Sequence, residues 1–80
     1  MPYYAYILEC ADGTLYTGFT NNLKRRLIAH NSLKSGAHYT KIRRPVVLKY
    51  SEEFATSGEA KKREAEIKSW TRMKKLGLFK

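Results

Sequence analysis

A glutamate stands where a helix should present an apolar face. Ala60, Glu64, Ile67 and Thr71 recur at spacings of four, three and four, which places them on one stripe of a helix that would meet a sheet. Ionised carboxylates are almost never buried unless paired or bound to metal, so Glu64 requires a cation. Two sources can supply one. Lys68, four residues on, would make an ordinary solvated pair contributing about 0.2–0.5 kcal/mol, whereas a bound metal ion would make Glu64 a ligand. Arg26 and His30 are also four apart, beside Leu23 on one side of an earlier helix, so a cationic pair borders the core. Arg26 can equally snorkel to the surface, and His30 can sit in a last turn stabilised by the helix dipole. Most of the six tyrosines are sheet and core material; Tyr6 and Tyr16 stand apart because of the residues that accompany them.

The charge balance suggests what such a cluster would act on. Sixteen Lys and Arg against seven Asp and Glu give a net charge of +9 over 80 residues. A positive field of that density attracts polyanions by releasing their condensed counterions, so nucleic acid is the first partner to test. The single cysteine, Cys10, excludes an intramolecular disulfide framework and a Cys-based zinc cluster, and fits a reducing compartment. No apolar run approaches the ~20 residues of a membrane span. Met1-Pro2-Tyr3-Tyr4 lacks the features of a secretory signal, so a cytoplasmic protein with no membrane partner is expected. The length fits one domain, residues 1–80.

Five elements and a tail must position these groups. Tyr3 to Leu8 and Thr14 to Phe19 are aromatic and β-branched runs flanking Ala11-Asp12-Gly13, a hairpin signal. Asp12-Gly13 allows a two-residue turn or a three-residue loop closed by Gly13 in the left-handed region. Parity separates the two: with Cys10 opposite Thr14, Leu8 faces Tyr16, Tyr6 faces Gly18 and both phenols project to one side; the shorter turn divides them. Asn21 or Thr20 can cap a helix through Leu23 to His30. Ser32 to Arg44 is a long basic connection, a candidate binding loop. Pro45 to Ser51 reads as a third strand. Thr56-Ser57-Gly58-Glu59 matches a capping box for a helix reaching about Trp70. Thr71 to Leu76 forms either a final turn or a short helix, stopped by Gly77.

Tyr4-Ala5-Tyr6, Tyr16-Thr17-Gly18, Asn22-Leu23-Lys24-Arg25-Arg26-Leu27 followed by His30, and Arg63-Glu64-Ala65-Glu66 together resemble the GIY-YIG nuclease superfamily, in order and spacing, from about Tyr4 to Trp70. The resemblance is strongest to its small stand-alone bacterial members. It implies an α+β fold with a small three-stranded antiparallel β-sheet flanked by helices, in the order β-β-α-β-α with a short C-terminal helix as an option. It also requires both phenols on one side, and therefore the three-residue loop. Its implied activity is metal-dependent endonuclease cleavage of DNA phosphodiesters, in repair, recombination or processing. Departures occur: Tyr4-Ala5 replaces Gly-Ile, Thr17 replaces Ile, and no asparagine follows Asn31, although many members carry one after the glutamate.

The resemblance carries over Tyr6, Tyr16, Arg26, His30 and Glu64 as the catalytic set, with Arg25 as the neighbour should the register slip. Glu64 would hold one Mg²⁺ or Mn²⁺. Arg26 would bind the nonbridging oxygens, and Tyr16 would act as general base or proton relay, as phenolate or neutral phenol, oriented by Tyr6 and His30. Lys24, Arg25, Lys34, Lys41, Arg43 and Arg44 would track backbone phosphates; about five such contacts give a slope of log affinity against log salt near −4 to −5. The expected partner is DNA, including branched or single-stranded forms. RNA stays open, as does a protein partner supplying specificity. The competing reading is a catalytically inactive nucleic-acid-binding module, or a subunit of a larger nucleoprotein assembly.

Overall fold

In the computed structural model, residues 2–32 and 42–79 are described. Three antiparallel strands, β1 (Tyr3–Glu9), β2 (Leu15–Thr20) and β3 (Val47–Phe54), form one sheet in the order β2-β1-β3. Among the described residues, three helices join the sheet in an α+β fold: α1 (Leu23–Ser32), α2 (Ser57–Lys68) and α3 (Arg72–Leu76). Among the described residues no helix is long and apolar enough to cross a membrane.

The hairpin turns through a three-residue loop, as expected. The Cys10 N–H donates to the Thr14 carbonyl at 2.8 Å, the Gly13 N–H donates to the Cys10 carbonyl at 2.9 Å, and Gly13 has φ 85°. That left-handed position is the one glycine occupies without a Cβ penalty. Asp12 Oδ1 accepts from the Thr14 N–H and hydroxyl, which fixes the turn. The register then follows: Leu8 pairs with Tyr16 and Tyr6 with Gly18.

The central strand has a buried run, Ala5, Tyr6, Ile7 and Leu8, because helices cover both faces of the sheet. Tyr6 and Leu8 form one core with Cys10, Val46 and, from α1, Leu23 and Leu27. On the opposite face α2 buries Ala60 and Ile67. There Lys61 lies 6.0 Å from the Phe19 ring centre and Arg63 donates to Glu52 at 3.1 Å; both Phe19 and Glu52 pair with Ala5. A bulge lets β3 serve both layers. Ile7 pairs with Tyr50 but Leu8 with Leu48, so the extra residue, Lys49, moves Leu48 onto the α1 face and leaves Tyr50 on the other.

Several boundaries differ from the sequence-based expectation. Asn22, not Asn21 or Thr20, caps α1, its Oδ1 accepting from the Arg25 N–H at 3.0 Å. Thr20 instead accepts from the Asn22 N–H and sets up the cap. Helix α1 runs two residues past His30. The third strand starts at Val47, not Pro45, and runs to Phe54, because the Asn31 amide engages Val46 first: Asn31 Oδ1 accepts from the Val46 N–H at 2.7 Å and Nδ2 donates to its carbonyl at 3.0 Å. Thr56 caps α2 as the box predicts, accepting from the Glu59 N–H at 3.2 Å. That helix ends at Lys68, two residues before Trp70, with the Ser69 hydroxyl donating to the Glu66 carbonyl at 2.6 Å. Thr71 caps a true short helix, and Gly77 ends it.

Gly18 is the position where a side chain cannot be accommodated. A Cβ there would lie 2.5 Å from the Tyr6 oxygen, 2.7 Å from its Cζ and 3.1 Å from Tyr16 Cε2. Gly18→Ala should therefore lower the unfolding free energy by about 1–3 kcal/mol in chemical denaturation. Gly58→Ala, in open space on α2, should leave it unchanged or raise it by up to about 1 kcal/mol. Equal effects of the two substitutions would refute the cradle at Gly18.

Candidate active site

Tyr6 reaches its position by crossing a strand. Its ring passes over Gly18, the residue directly opposite on edge strand β2, and its hydroxyl lies 2.9 Å from His30 Nε2. Both residues are buried, at 2% and 0% exposure. Tyr16 joins them from β2: ring centres are 6.5 Å apart for Tyr6 and Tyr16, 6.0 Å for Tyr6 and His30, and 5.0 Å for Tyr16 and His30. Helix α1 supplies His30 and, one turn earlier, Arg26, whose guanidinium hydrogen-bonds to both phenols.

The Tyr6 hydroxyl and His30 Nε2 share a hydrogen bond between two uncharged groups. Burial, reinforced by the positive charges of Arg26 and Arg44, pushes the His30 pKa down to about 4. Burial likewise pushes Tyr6 up to about 12, against the pull of the Arg26 hydrogen bond, while Tyr16 and the negative charge of Glu64 add to the rise. Arg26 itself is raised, first by its bond to Tyr6. Tyr6 is a neutral, fixed phenol; Tyr16 is the more exposed of the two.

Glu64 comes from the other layer. Its side chain is 15% exposed, and its Oε2 pairs with Lys68 Nζ at 3.1 Å. The pairing with Lys68 is therefore present, and the carboxylate charge also adds to the rise of the Tyr6 pKa. Among the described residues no three His, Cys, Asp or Glu gather where they could hold a metal ion. A donor set of one carboxylate does not fit a closed zinc site. It does fit a hard divalent ion that keeps most of its water and shares a phosphate, as Mg²⁺ and Mn²⁺ do.

The remaining basic residues divide by partner. Lys24 and Arg25 are exposed on α1. Arg43 pairs with Asp12 at 3.1 Å. Arg44 donates to the carbonyls of His30 and, at 3.1 Å, of Ala29, closing the C-terminal end of α1. The Arg43 and Arg44 guanidinium groups thus each have a partner within the fold. Lys34 and Lys41 lie outside the described residues. The part played by Arg44 in keeping His30 neutral had no local sequence signal, since its partners lie 14 and 15 residues away.

With this geometry in place, comparison decides the family. Residues 2–76 match the GIY-YIG catalytic domain. The chain belongs to the GIY-YIG superfamily. A GIY-YIG nuclease domain implies a nucleic-acid substrate in general terms. Among curated relatives, a UPF0213 protein of Bacillus pumilus is 58% identical over 73 residues, covering 91% of this chain and 74% of the relative. One of Staphylococcus saprophyticus is 55% identical over 77 residues, covering 96% and 93%. Two solution NMR structures share the fold: a UPF0213 protein of Bacillus halodurans (TM-score 0.61, 42% identity, 98% of this chain and 82% of that one) and a protein of E. faecalis (TM-score 0.63, 45% identity, 94% and 79%). Those names carry no activity, so the chemistry of this GIY-YIG chain has to be argued from its side chains.

The buried imidazole gives a pH signature. Its pKa is lower folded than unfolded, so between pH about 6.5 and 4 the unfolded chain binds the extra proton and stability falls as pH falls. Between pH 6.5 and 5 the unfolding free energy should drop by about 1 kcal/mol per pH unit, and His30→Gln should flatten that slope. A slope unchanged by the substitution would show that His30 is not held neutral.

Proposed function

We propose that this GIY-YIG domain is a metal-dependent endonuclease that hydrolyses DNA phosphodiester bonds, with repair, recombination or strand processing as its setting. The observation that carries the reading is the meeting of Tyr6, Tyr16, Arg26 and His30 on one face of the sheet, with the Glu64 carboxylate acting on the same phenol from the other layer. Hydrolysis needs an activated water, relief of charge on the phosphoryl oxygens and an in-line path for the departing alkoxide.

Arg26 binds the nonbridging oxygens of the scissile phosphate and stabilises the charge that grows on them in the transition state. Tyr16, more accessible than Tyr6, would take the proton of the attacking water in its phenolate form, becoming the neutral phenol. Tyr6 and His30 keep Arg26 and Tyr16 in place rather than exchanging protons themselves, because both are held neutral by burial. Glu64 would hold one Mg²⁺ or Mn²⁺, which when bound supplies Lewis-acid polarisation of the phosphate. Lys24 and Arg25 contact flanking phosphates and set affinity, not sequence preference. A surface this small favours flaps, junctions or single strands over base-specific duplex reading.

A second reading, a nucleic-acid-binding module without hydrolysis, is favoured by two observations: Glu64 is already paired with Lys68, and no asparagine follows Asn31. One assay separates the two. Supercoiled plasmid and branched oligonucleotides are incubated with Mg²⁺, Mn²⁺ or chelator. The nuclease reading expects nicking that chelator abolishes. Glu64→Gln should lower it by about 10² or more with binding retained; Arg26→Lys and Tyr16→Phe should each lower it by about 10²–10³. Nicking by Glu64→Gln at the wild-type rate would expose a contaminating nuclease, and a wild-type protein that binds but never nicks would establish the binding module.

A further inference from the structure

Edge strand β2 has a second feature on the side opposite Tyr16. Thr14, Leu15, Arg72 and Lys75 line a groove of about 210 Å³. That is room for about seven water molecules, the size of one phosphodiester with part of its sugar. Leu15 precedes Tyr16 on β2 and projects to the opposite face, so groove and candidate active site lie back to back across one strand. Arg72 also donates to the Gly13 carbonyl, docking α3 on the hairpin loop.

The groove is cationic, and nothing described inside the protein balances it. Among the described residues no carboxylate pairs with Arg72 or Lys75. Lys75 is half-buried, and burial together with the charge of Lys68 pushes its pKa down. An ammonium held against desolvation and a like charge gains from an incoming anion, which relieves both costs. Lys68, which pairs with Glu64 at the end of α2, also bears by its charge on Lys75 in the groove.

We propose that this groove binds a second phosphate of the nucleic-acid strand, a neighbour of the one presented to Arg26 and Tyr16, and so sets the path of the backbone across the β2 edge. The inference rests on the nucleic-acid reading above and adds to it a subsite. Lys75 is a positioning residue in this scheme, without contact to the reacting atoms. Because a phosphate contact carries no base information, its loss should weaken binding uniformly across sequences.

The test is fluorescence anisotropy of a labelled duplex oligonucleotide from about 0.05 to 1 M salt, with the wild type, Lys75→Met, Lys75→Arg and Lys62→Met. Lys75→Met keeps the apolar stem and should reduce the slope of log affinity against log salt by about 0.9, which is about eightfold in affinity at 0.1 M salt and fades toward 1 M. Lys75→Arg should bind as the wild type does. Lys62→Met removes an equal charge from the outer side of α2 and should change affinity less than about twofold. An unaltered slope in Lys75→Met, or an equal loss in Lys62→Met, overturns the subsite and leaves the nucleic-acid reading standing. A wild type without salt-dependent binding overturns that reading and the subsite with it. A second measurement needs no variant: adding a short oligonucleotide to labelled wild-type protein should shift the amide resonances of Thr14, Leu15 and Lys75 along with that of Tyr16. Shifts confined to the Tyr16 side also overturn the subsite.

Discussion

A buried hydroxyl with two obligatory partners organises this domain. The Tyr6 oxygen lies inside the protein, where an unmade hydrogen bond costs about 1–3 kcal/mol. It is satisfied from the same helix, by Arg26 and His30. The three groups enforce one another. Burial first, and then the Arg26 charge, keeps His30 neutral, so the Tyr6–His30 bond joins two uncharged groups beside the guanidinium. Apolar contacts from Leu23 and Leu27 press α1 onto the sheet, but such contacts are non-directional. The polar triad supplies the direction, and Gly18 supplies the space without which the phenol could not cross β2.

That arrangement assigns different work to the two tyrosines. A phenol fixed by two hydrogen bonds and raised to about 12 is suited to holding other groups still. Tyr16 sits beside it on the same face but at the sheet's edge, less enclosed and still tied to Arg26. Because β2 is an edge strand, the cluster lies at the rim of the sheet. In the opposite layer Glu64 stands on a helix whose other inward residues, Ala60 and Ile67, are fully buried apolar side chains. Its carboxylate, kept partly out of water, pairs with Lys68 and adds its charge to the rise of the Tyr6 pKa.

Much of this was legible in the sequence, and what was not has physical causes. The hairpin parity was readable because Asp12-Gly13 limits the turn to two geometries and only one puts Tyr6 and Tyr16 together. Capping at Thr56 was readable because a capping box is entirely local. Asn22 was missed as the cap of α1 because three consecutive residues, Thr20, Asn21 and Asn22, all have capping chemistry; the choice depended on the Thr20 hydroxyl bonding forward to the Asn22 N–H. The start of β3 was displaced by a tertiary contact, the Asn31 amide on Val46, which no local pattern encodes. The bonds of Arg43 to Asp12 and of Arg44 to Ala29 and His30 had no local signal, because those partners are distant in the chain. Helical spacing marked Glu64 as anomalous without choosing between Lys68 and a metal ion.

The distribution of acids explains how so basic a chain can direct its charge. Of seven acidic residues, five form ion pairs that join elements or brace a helix: Glu9 with Lys49, Asp12 with Arg43, Glu52 and Glu66 with Arg63, and Glu64 with Lys68. Glu59 supports the Thr56 cap. Exposed pairs of this kind add little stability individually. Their larger effect is subtractive, since they cancel Lys49 on β3 and Arg63 and Lys68 on α2. Among the described residues, cations without a carboxylate partner stand on α1, at Lys24, Arg25 and Arg26, on α2, at Lys61 and Lys62, and on α3, at Arg72, Lys74 and Lys75. Helices α1 and α3 lie on either side of the β2 edge, with Tyr16 on the strand between them. On the nucleic-acid reading proposed above, both would act together on a polyanion at that edge.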